Sequence, residues 1–481
     1  MKPVVVASRK PLEVGEYYRL PAVRQRIRDY CGETAGSPAT CAYLSALVGG
    51  GDHPVWEGAP QYPPEALDAL LDRGADIARS AWDYASLLVH LDLDYQNVDF
   101  PGEPFLHPAE VFFKLEPLYR ATREILAAHG LVLLPLMTGR GYHFTGCVPI
   151  DDPLVTRLAD LMDGEPRWLL GCAARRPSWT RAPVDAHMAR AHAGLGMLLE
   201  HLAHLIVRRS ASAALIPVVL NGTVVGPGLV GRECASVDLT HAGDPLDIRQ
   251  MRTAFSAYQF HRLRRDIVGP RVACEVPPLA AVPRDGESVF EMLQAGRSAD
   301  RAAELAGSRS TAIPETIVGL SRLLDEYLVS PLAAFHRDFY ATLARPSSEW
   351  SATYDRLDLE TLLPCVAVPL ATPNDLLLQP ARVQHVTRAL MSLGWSPRDI
   401  AGLVHSRYAR DYRWGTRWTR MDPQTKAEFD VRVFAGMLVV GLDEAVDFNC
   451  RSAQEKGLCP AVGCDHDLRS DRDRLLVQVR A

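Results

Sequence analysis

Lysine is nearly absent from this chain of 481 residues: it occurs only at positions 2, 10, 114, 426 and 456, so the cations are almost all arginine. The arginine guanidinium is a rigid fork that binds phosphate or carboxylate oxygens in pairs, which an ammonium cannot do. A positive balance is also missing. The formal net charge of −6 excludes a global attraction for nucleic acid, and any such binding has to be local. Long apolar runs are missing too. The longest weakly charged stretch, residues 211–231, is broken by Pro217, Asn221, Gly222 and Pro227, which suits buried strands better than a membrane span. Near Met1 no charged start leads into an apolar segment, because Lys10 and Pro11 follow at once; a cytoplasmic protein with no membrane partner is expected. There is no internal repeat and no low-complexity tract. What is present is ordinary for a folded protein, 47% hydrophobic and 23% charged. The length calls for two or three domains.

The stretch richest in chemistry is His90-Leu91-Asp92-Leu93-Asp94-Tyr95, which follows the apolar Leu87-Leu88-Val89. In a strand, side chains alternate, so Asp92 and Asp94 project from one face while Leu91 and Leu93 enter a core. Two neighbouring carboxylates repel. A hard divalent cation between them would resolve that, as would solvation at a strand end. Residues 1–86 read as mixed helix and loop. Helical spacing over residues 108–129 ends at Gly130. Residues 131–137 form an apolar strand, Thr138-Gly139-Arg140-Gly141 a turn, and Tyr142-His143-Phe144-Thr145-Gly146 resumes the alternation. The glycines permit a tight turn and close approach of a ligand, with Arg140 and His143 at the mouth as donors to phosphate; an ordinary hairpin with a surface arginine fits equally well.

Residues 186–209 form the clearest helix. Its His187, His192, His201 and His204 lack an accompanying carboxylate or cysteine pattern and are expected to be packed or solvated. A strand pair at 214–219 and 223–230 leads to Ser236-Val237-Asp238. A helix is then expected to carry Arg249, Arg252 and Ser256. A third strand-borne acid followed by arginines is what a catalytic metal site with a triphosphate pocket needs, although Asp244, Asp247 and the arginines would also serve as surface ion pairs. Loop composition around 275–286 and Pro346-Ser347-Ser348 marks candidate boundaries, dividing the chain into 1–282, a helical linker 283–350, and 351–481.

The last part holds helices near 379–393 and from Ser396-Pro397 onward. Then comes a run in which Arg407, Arg410, Arg413 and Arg417 alternate with Tyr408, Tyr412, Trp414 and Trp418. Arginines interleaved with aromatics supply phosphate contacts and base-stacking faces together; a half-buried helix with arginine stems over aromatics is the alternative. Without a secretion signal, ten cysteines argue against a disulfide framework. Cys450, Cys459 and Cys464 lie close together, with Cys365 apart after Pro364. Such a set suits an iron-sulfur cluster or zinc, though the spacing is not the paired C-x2-C of a zinc ribbon.

In this order the motifs resemble those of the archaeo-eukaryotic primases and primase-polymerases. The strand-borne D-x-D is matched by Asp92-Leu93-Asp94. The small residue before an aromatic and a histidine is matched by Thr138-Gly139-Arg140-Gly141-Tyr142-His143, and the later acid by Asp238. In the primase small subunit a Thr-x-Asp and an R-x-P-x-S-x-H run follow that acid; Asp244, Arg252 and Ser256 are the counterparts, with Tyr258 in place of the histidine. Pro364-Cys365, then His385 and Arg388, then the clustered cysteines are similar to the iron-sulfur domain of the primase large subunit. The zinc knob of many small subunits has no counterpart. The resemblance implies an α+β fold: an RRM-like catalytic core with a mixed or antiparallel sheet and flanking helices, then a mainly α-helical iron-sulfur domain. It implies Mg2+ or Mn2+ on Asp92, Asp94 and Asp238, and an incoming triphosphate on Thr138, Arg140, His143, Arg249, Arg252 and Ser256. It further implies a [4Fe-4S] cluster, with Zn2+ as the alternative, on Cys365, Cys450, Cys459 and Cys464, and single-stranded DNA held by the Arg407 to Trp418 run. The expected activity is de novo primer synthesis on single-stranded DNA from ribo- or deoxynucleotides, beside a helicase or a replication or defence partner. The alternatives are a gap-filling or repair polymerase and a non-catalytic nucleic-acid-binding iron-sulfur protein.

Overall fold

A computed structural model describes residues 12–47, 60–164, 166, 169, 185–222, 233–240, 250–371, 373, 377, 379–410, 422–460 and 464–480. The strands, in chain order, are β1 (Leu44–Leu47), β2 (Gln61–Tyr62), β3 (Asp76–Ser80), β4 (Ser86–Asn97), β5 (Leu134–Met137), β6 (Gly141–Pro149), β7 (Val218–Leu220), β8 (Glu233–Asp238), β9 (Gln250–Arg252), β10 (Ala257–Tyr258), β11 (Leu279–Ala280) and β12 (Val282–Pro283). The fold is mixed α+β, with mixed and antiparallel sheets and many flanking helices. A six-stranded sheet runs β12-β5-β6-β4-β8-β7, a four-stranded sheet runs β2-β1-β3-β9, and β10 pairs with β11. The large sheet is antiparallel except where β7 joins β8 in parallel.

The large sheet is built on β4, whose alternation is complete. Leu87, Val89, Leu91 and Leu93 are all fully buried on one face. Across from them stand Val148, Phe144 and Tyr142 of β6 and Val237 of β8, so this face is apolar through three strands. The helix Pro108–His129 covers it. Its start carries a proline in the first turn and its end is set by Gly130 at φ 70°, the left-handed cap that glycine adopts without penalty. Phe112 meets the Tyr142 ring edge-on at 5.5 Å, and Tyr119 lies 4.5 Å from Tyr142 and 5.7 Å from Phe144. The polar residues of β4 are thereby directed to the opposite face.

Two local expectations differ from the structure, and a third falls partly outside the described residues. Residues 1–86 contain β1 and β3 as well as helices; the buried Asp76 and Arg79 of β3 hide its apolar alternation. Arg252 ends strand β9, which pairs with β3, so it is not helical. Within 214–220 the strand is β7, and its described partner is β8; residues 223–230 lie outside the described residues, as do Arg249, Asp244 and Asp247. The helices expected in 287–345 and from 380 onward are present.

Among the described residues a large apolar cluster runs from Leu12 to Leu475, and a smaller one gathers Phe105, Tyr258, Val268, Val272, Val276 and Leu279. Helix Ala186–Ser210 is joined to the later helices Pro331–Ala341 and Pro423–Val439 through a buried charge. Glu200, fully buried, accepts from Arg432 Nε at 3.2 Å and Nη2 at 2.8 Å, and lies 3.3 Å from His336 Nε2. Arg432 also donates to the Tyr340 hydroxyl at 2.6 Å. In helix Ala186–Ser210, His192 stacks on Trp82 at 4.9 Å and His201 lies 3.2 Å from Glu326. Among the described residues no helix is long and apolar enough to cross a membrane.

Candidate functional site

The polar face of the large sheet carries its chemistry at β4 and the two strands beside it. Asp92 stands directly opposite His143 of β6 on one side and Asp238 of β8 on the other. Directly opposed residues of an antiparallel pair share a face, so two carboxylates and an imidazole line up across three strands. His90 and Asp94, two residues to either side of Asp92, point the same way. All five side chains are buried. His143 Nε2 is 3.4 Å from Asp92 Oδ1, and the His90 and His143 rings meet edge to face at 4.9 Å. Ligand atoms of His90, Asp92 and His143 all lie within 4.8 Å of one another, a spacing one metal ion can bridge. His90 was not among the residues singled out from sequence, although its place two residues before Asp92 put it on the same face.

Asp94 faces the hairpin turn. Arg140 Nη2 donates to Asp94 Oδ2 at 2.6 Å, and the guanidinium sits 5.4 Å from the Phe260 ring. The Asp94 charge is the main cause holding the Arg140 proton more firmly than usual. Asp238 is oriented by Thr240, whose backbone N–H and hydroxyl donate to Oδ1 at 2.8 and 2.6 Å. The turn itself needs its glycines: a Cβ on Gly139 would lie 2.6 Å from the Tyr258 ring, and one on Gly141 would run into the Leu93 carbonyl. Gly141→Ala is therefore expected to cost about 1–3 kcal/mol, read as a lower urea midpoint at unchanged slope, with the Asp92–His143 register disturbed first.

Of the other residues expected to bind a nucleotide, Thr138, Arg252 and Ser256 are engaged with the protein. The Thr138 hydroxyl donates to the Gly141 carbonyl at 3.2 Å, closing the turn. Ser256 is fully buried and donates to the Thr253 carbonyl at 2.8 Å. Arg252 pairs with Asp76 and lies 4.6 Å from the Tyr258 ring. Tyr258 stands between Arg140 and Arg252, and burial raises its pKa.

In the last part of the chain Arg407 is buried, with Nη1 3.3 Å from Asp355 and Nη2 3.3 Å from the Tyr354 carbonyl. Tyr408 is buried and donates to the Leu377 carbonyl at 2.8 Å. Arg410 binds both Asp355 oxygens, at 2.7 and 2.8 Å. These three hold the helix Pro397–Tyr408 in place; Tyr412, Arg413, Trp414, Arg417 and Trp418 lie outside the described residues. Cys365 is in the first turn of helix Pro364–Ala371, and Cys450 opens helix Cys450–Glu455. The Cys365 thiol is pushed up to about 12, first by burial and then by the charges of Cys459, Cys450 and Cys464. The Leu468 N–H donates to Cys450 Sγ at 3.4 Å. Burial pushes His385 down to about 3, and its ring meets Phe448 edge-on at 5.3 Å. Arg388 donates to both Asp443 oxygens, at 2.9 and 2.7 Å, and reaches Asp447 at 2.9 Å.

No protein-family model matches the chain, and no curated protein does. Among solved structures it is similar to the polymerase domain from Mycobacterium tuberculosis ligase D in complex with DNA, at 15% identity over 67% of this chain and 91% of that one, with a TM-score of 0.30.

Proposed function

We propose that the chain is a template-dependent nucleotidyltransferase that synthesises primers de novo on single-stranded DNA, using NTPs, dNTPs or both. The observation that carries this reading is the alignment of Asp238, Asp92 and His143 across three adjacent strands, with Arg140 held beside them by Asp94. The donor set is of the kind that hard divalent ions take: Asp92, Asp94 and Asp238 are buried carboxylates on one face of the sheet. Asp92, Asp94 and Asp238 would hold Mg2+ or Mn2+, which when bound acidifies a hydroxyl and offsets charge on a leaving pyrophosphate. The chain's own groups then divide the work. Arg140 and His143 face the triphosphate as donors. Thr138, Arg249, Arg252 and Ser256 are assigned to the same nucleotide in this proposal. The buried floor excludes water from the reacting atoms.

The division into a catalytic part, 1–282, a helical stretch, 283–350, and a cluster-binding part, 351–481, belongs to this proposal. So do the run Arg407 to Trp418 as template contact, a cytoplasmic location and a helicase partner. Cys365, Cys450, Cys459 and Cys464 are assigned a [4Fe-4S] cluster. Zinc is the alternative occupant of the same four thiolates. Anaerobically purified protein should be brown, absorbing near about 400 nm, and Cys365→Ser should lose that band; a colourless, zinc-loaded protein would reverse the assignment.

The activity is tested with unprimed single-stranded template and labelled nucleotides. Dinucleotides and short products are expected. Extension only of supplied primers would make the chain a gap-filling polymerase, and no metal-dependent incorporation would leave a nucleic-acid-binding protein.

A further inference from the structure

We propose that Cys31 and Cys41 are a redox pair, which a small hydroperoxide closes into a disulfide. The bond ties the residue after helix Pro21–Tyr30 to the segment that leads into strand β1. The inference goes beyond the proposed function and does not depend on it.

Three observations carry it. The first is the backbone. The Cys31 carbonyl accepts from the N–H groups of both Thr40 and Cys41, at 3.2 and 3.3 Å, and Thr34 and Ser37 exchange both backbone hydrogen bonds, at 3.2 and 3.0 Å. Residues 31–41 thus close into a hairpin in which two residues oppose Cys31, the arrangement of a β-bulge. Residues paired across such a stem have Cα atoms about 5.5 Å apart, within the span of a disulfide. The second observation is the contact between the thiols. The Cys31 S–H donates to the Cys41 sulfur, a hydrogen bond that raises the pKa of Cys31 and lowers that of Cys41, so Cys41 ionises first. The third is the cation beside them. Arg79 is fully buried, donates to the Tyr30 carbonyl at 2.8 Å, and its charge favours the thiolate at both sulfurs, opposed by Asp83 at Cys41 and Glu33 at Cys31.

The chemistry divides between the two sulfurs. The Cys41 thiolate attacks one oxygen of hydrogen peroxide: the S–O bond forms, the O–O bond breaks, and the departing hydroxide takes up the proton that Cys41 gave away. The Cys31 sulfur then attacks the Cys41 sulfenic acid. The S–S bond forms, the S–O bond breaks, and the hydroxide leaves as water with the Cys31 proton. Two electrons pass from the sulfurs to the peroxide, whose oxygens end as two waters. Both thiols are buried, at 0% and 1% exposure, at the base of a loop whose residues 34–38 are exposed. A small hydroperoxide needs only local opening of that loop, whereas bulky thiol reagents are kept out.

The test is a peptide map of the full chain, reduced with dithiothreitol, freed of it, treated with hydrogen peroxide and then alkylated in urea. Trypsin cleavage after Arg28 and Arg73 gives a peptide, residues 29–73, in which Cys31 and Cys41 are the only cysteines. After peroxide this peptide is expected to escape alkylation and to weigh two hydrogens less than its reduced form. Renewed dithiothreitol should restore both sites of alkylation. Cys31→Ser is expected to trap the sulfenic acid on Cys41, read as a dimedone adduct, and Cys41→Ser to slow peroxide oxidation of Cys31 at least about 10-fold relative to the pair. A wild-type peptide that still takes two alkyl groups after peroxide shows two thiols that only pack, and overturns the inference. Conversion of Cys41 to a sulfinic acid with Cys31 left reduced overturns it as well. If either variant fails to fold, judged by circular dichroism, the wild-type map decides alone.

Discussion

Asp92→Asn should abolish metal-dependent nucleotide incorporation, by about 10³-fold or more, equivalent to about 4 kcal/mol of transition-state stabilisation, while binding to single-stranded DNA persists. Asp92 lies between the two other groups that define the site, opposite Asp238 on one side and His143 on the other. In the proposed reading Asp92, Asp94 and Asp238 would hold the ion, and Asp92, next to both of the others, would be its central carboxylate. Asparagine keeps the volume and an oxygen that can still accept from His143, so the fold survives. Stability is expected to hold or to rise by up to about 1 kcal/mol, because opposed like charges on neighbouring strands are unfavourable. The pair of measurements is incorporation kinetics and urea denaturation. Loss of activity with loss of stability would point to a structural carboxylate, and full activity in Asp92→Asn would sink the catalytic assignment.

The second large effect lies far from that face. Arg432→Met should destabilise the chain by about 3–5 kcal/mol, because Glu200 would stay buried without its counter-charge. Glu200 is fully buried and accepts two of the Arg432 donors. Glu200→Leu combined with Arg432→Met should recover most of the loss, since replacing both members of a buried pair is far cheaper than orphaning one. The pH dependence follows from the same contacts. The Glu200 carboxyl is pulled from 4.5 to about 2: burial pushes it up, and the outweighing pull comes from Arg432 and His336. Its folded value is depressed, so its contribution is present above pH 4.5 and is lost as pH falls from there toward 2. Burial lowers the His336 pKa below 6.5; the unfolded chain takes up that proton first, so stability also declines as pH falls below 6.5. Equilibrium unfolding should therefore show an acid-side decline that is shallower in the double variant. A double variant no more stable than Arg432→Met would refute the pairing.

How much of this was legible in the sequence varies with the range of the forces involved. Helix Pro108–His129 and its end at Gly130 are written locally, in a proline, a 3.6-residue periodicity and a glycine that accepts φ 70°. β4 and the hairpin of β5 and β6 are local too, because strict alternation marks a strand with one buried side. β1 and β3 were missed. Arg79 is fully buried only because Asp83 and the Tyr30 carbonyl meet it, and Asp76 because Arg252 arrives from a distant strand. Polar residues buried by such pairing erase the pattern that marks a strand. Arg407 and Arg410 show what spacing does not carry: that both guanidiniums reach Asp355, more than fifty residues upstream, is decided by the packing of the helix.

The sequence by itself determined that Asp92 and Asp94 share a face with His90, that Arg140 and His143 follow a tight glycine turn, and that four cysteines fall in the last third. Those are statements about alternation and composition, carried by backbone geometry over a few residues. Only the tertiary structure decided that His143 and Asp238 stand level with Asp92, that Arg140 is bound to Asp94, and that Glu200 anchors Arg432. Strand register and helix docking are set by the burial of whole faces against one another. A one-residue slip between β4 and β6 would leave each strand's own pattern intact and turn His143 to the other side of the sheet.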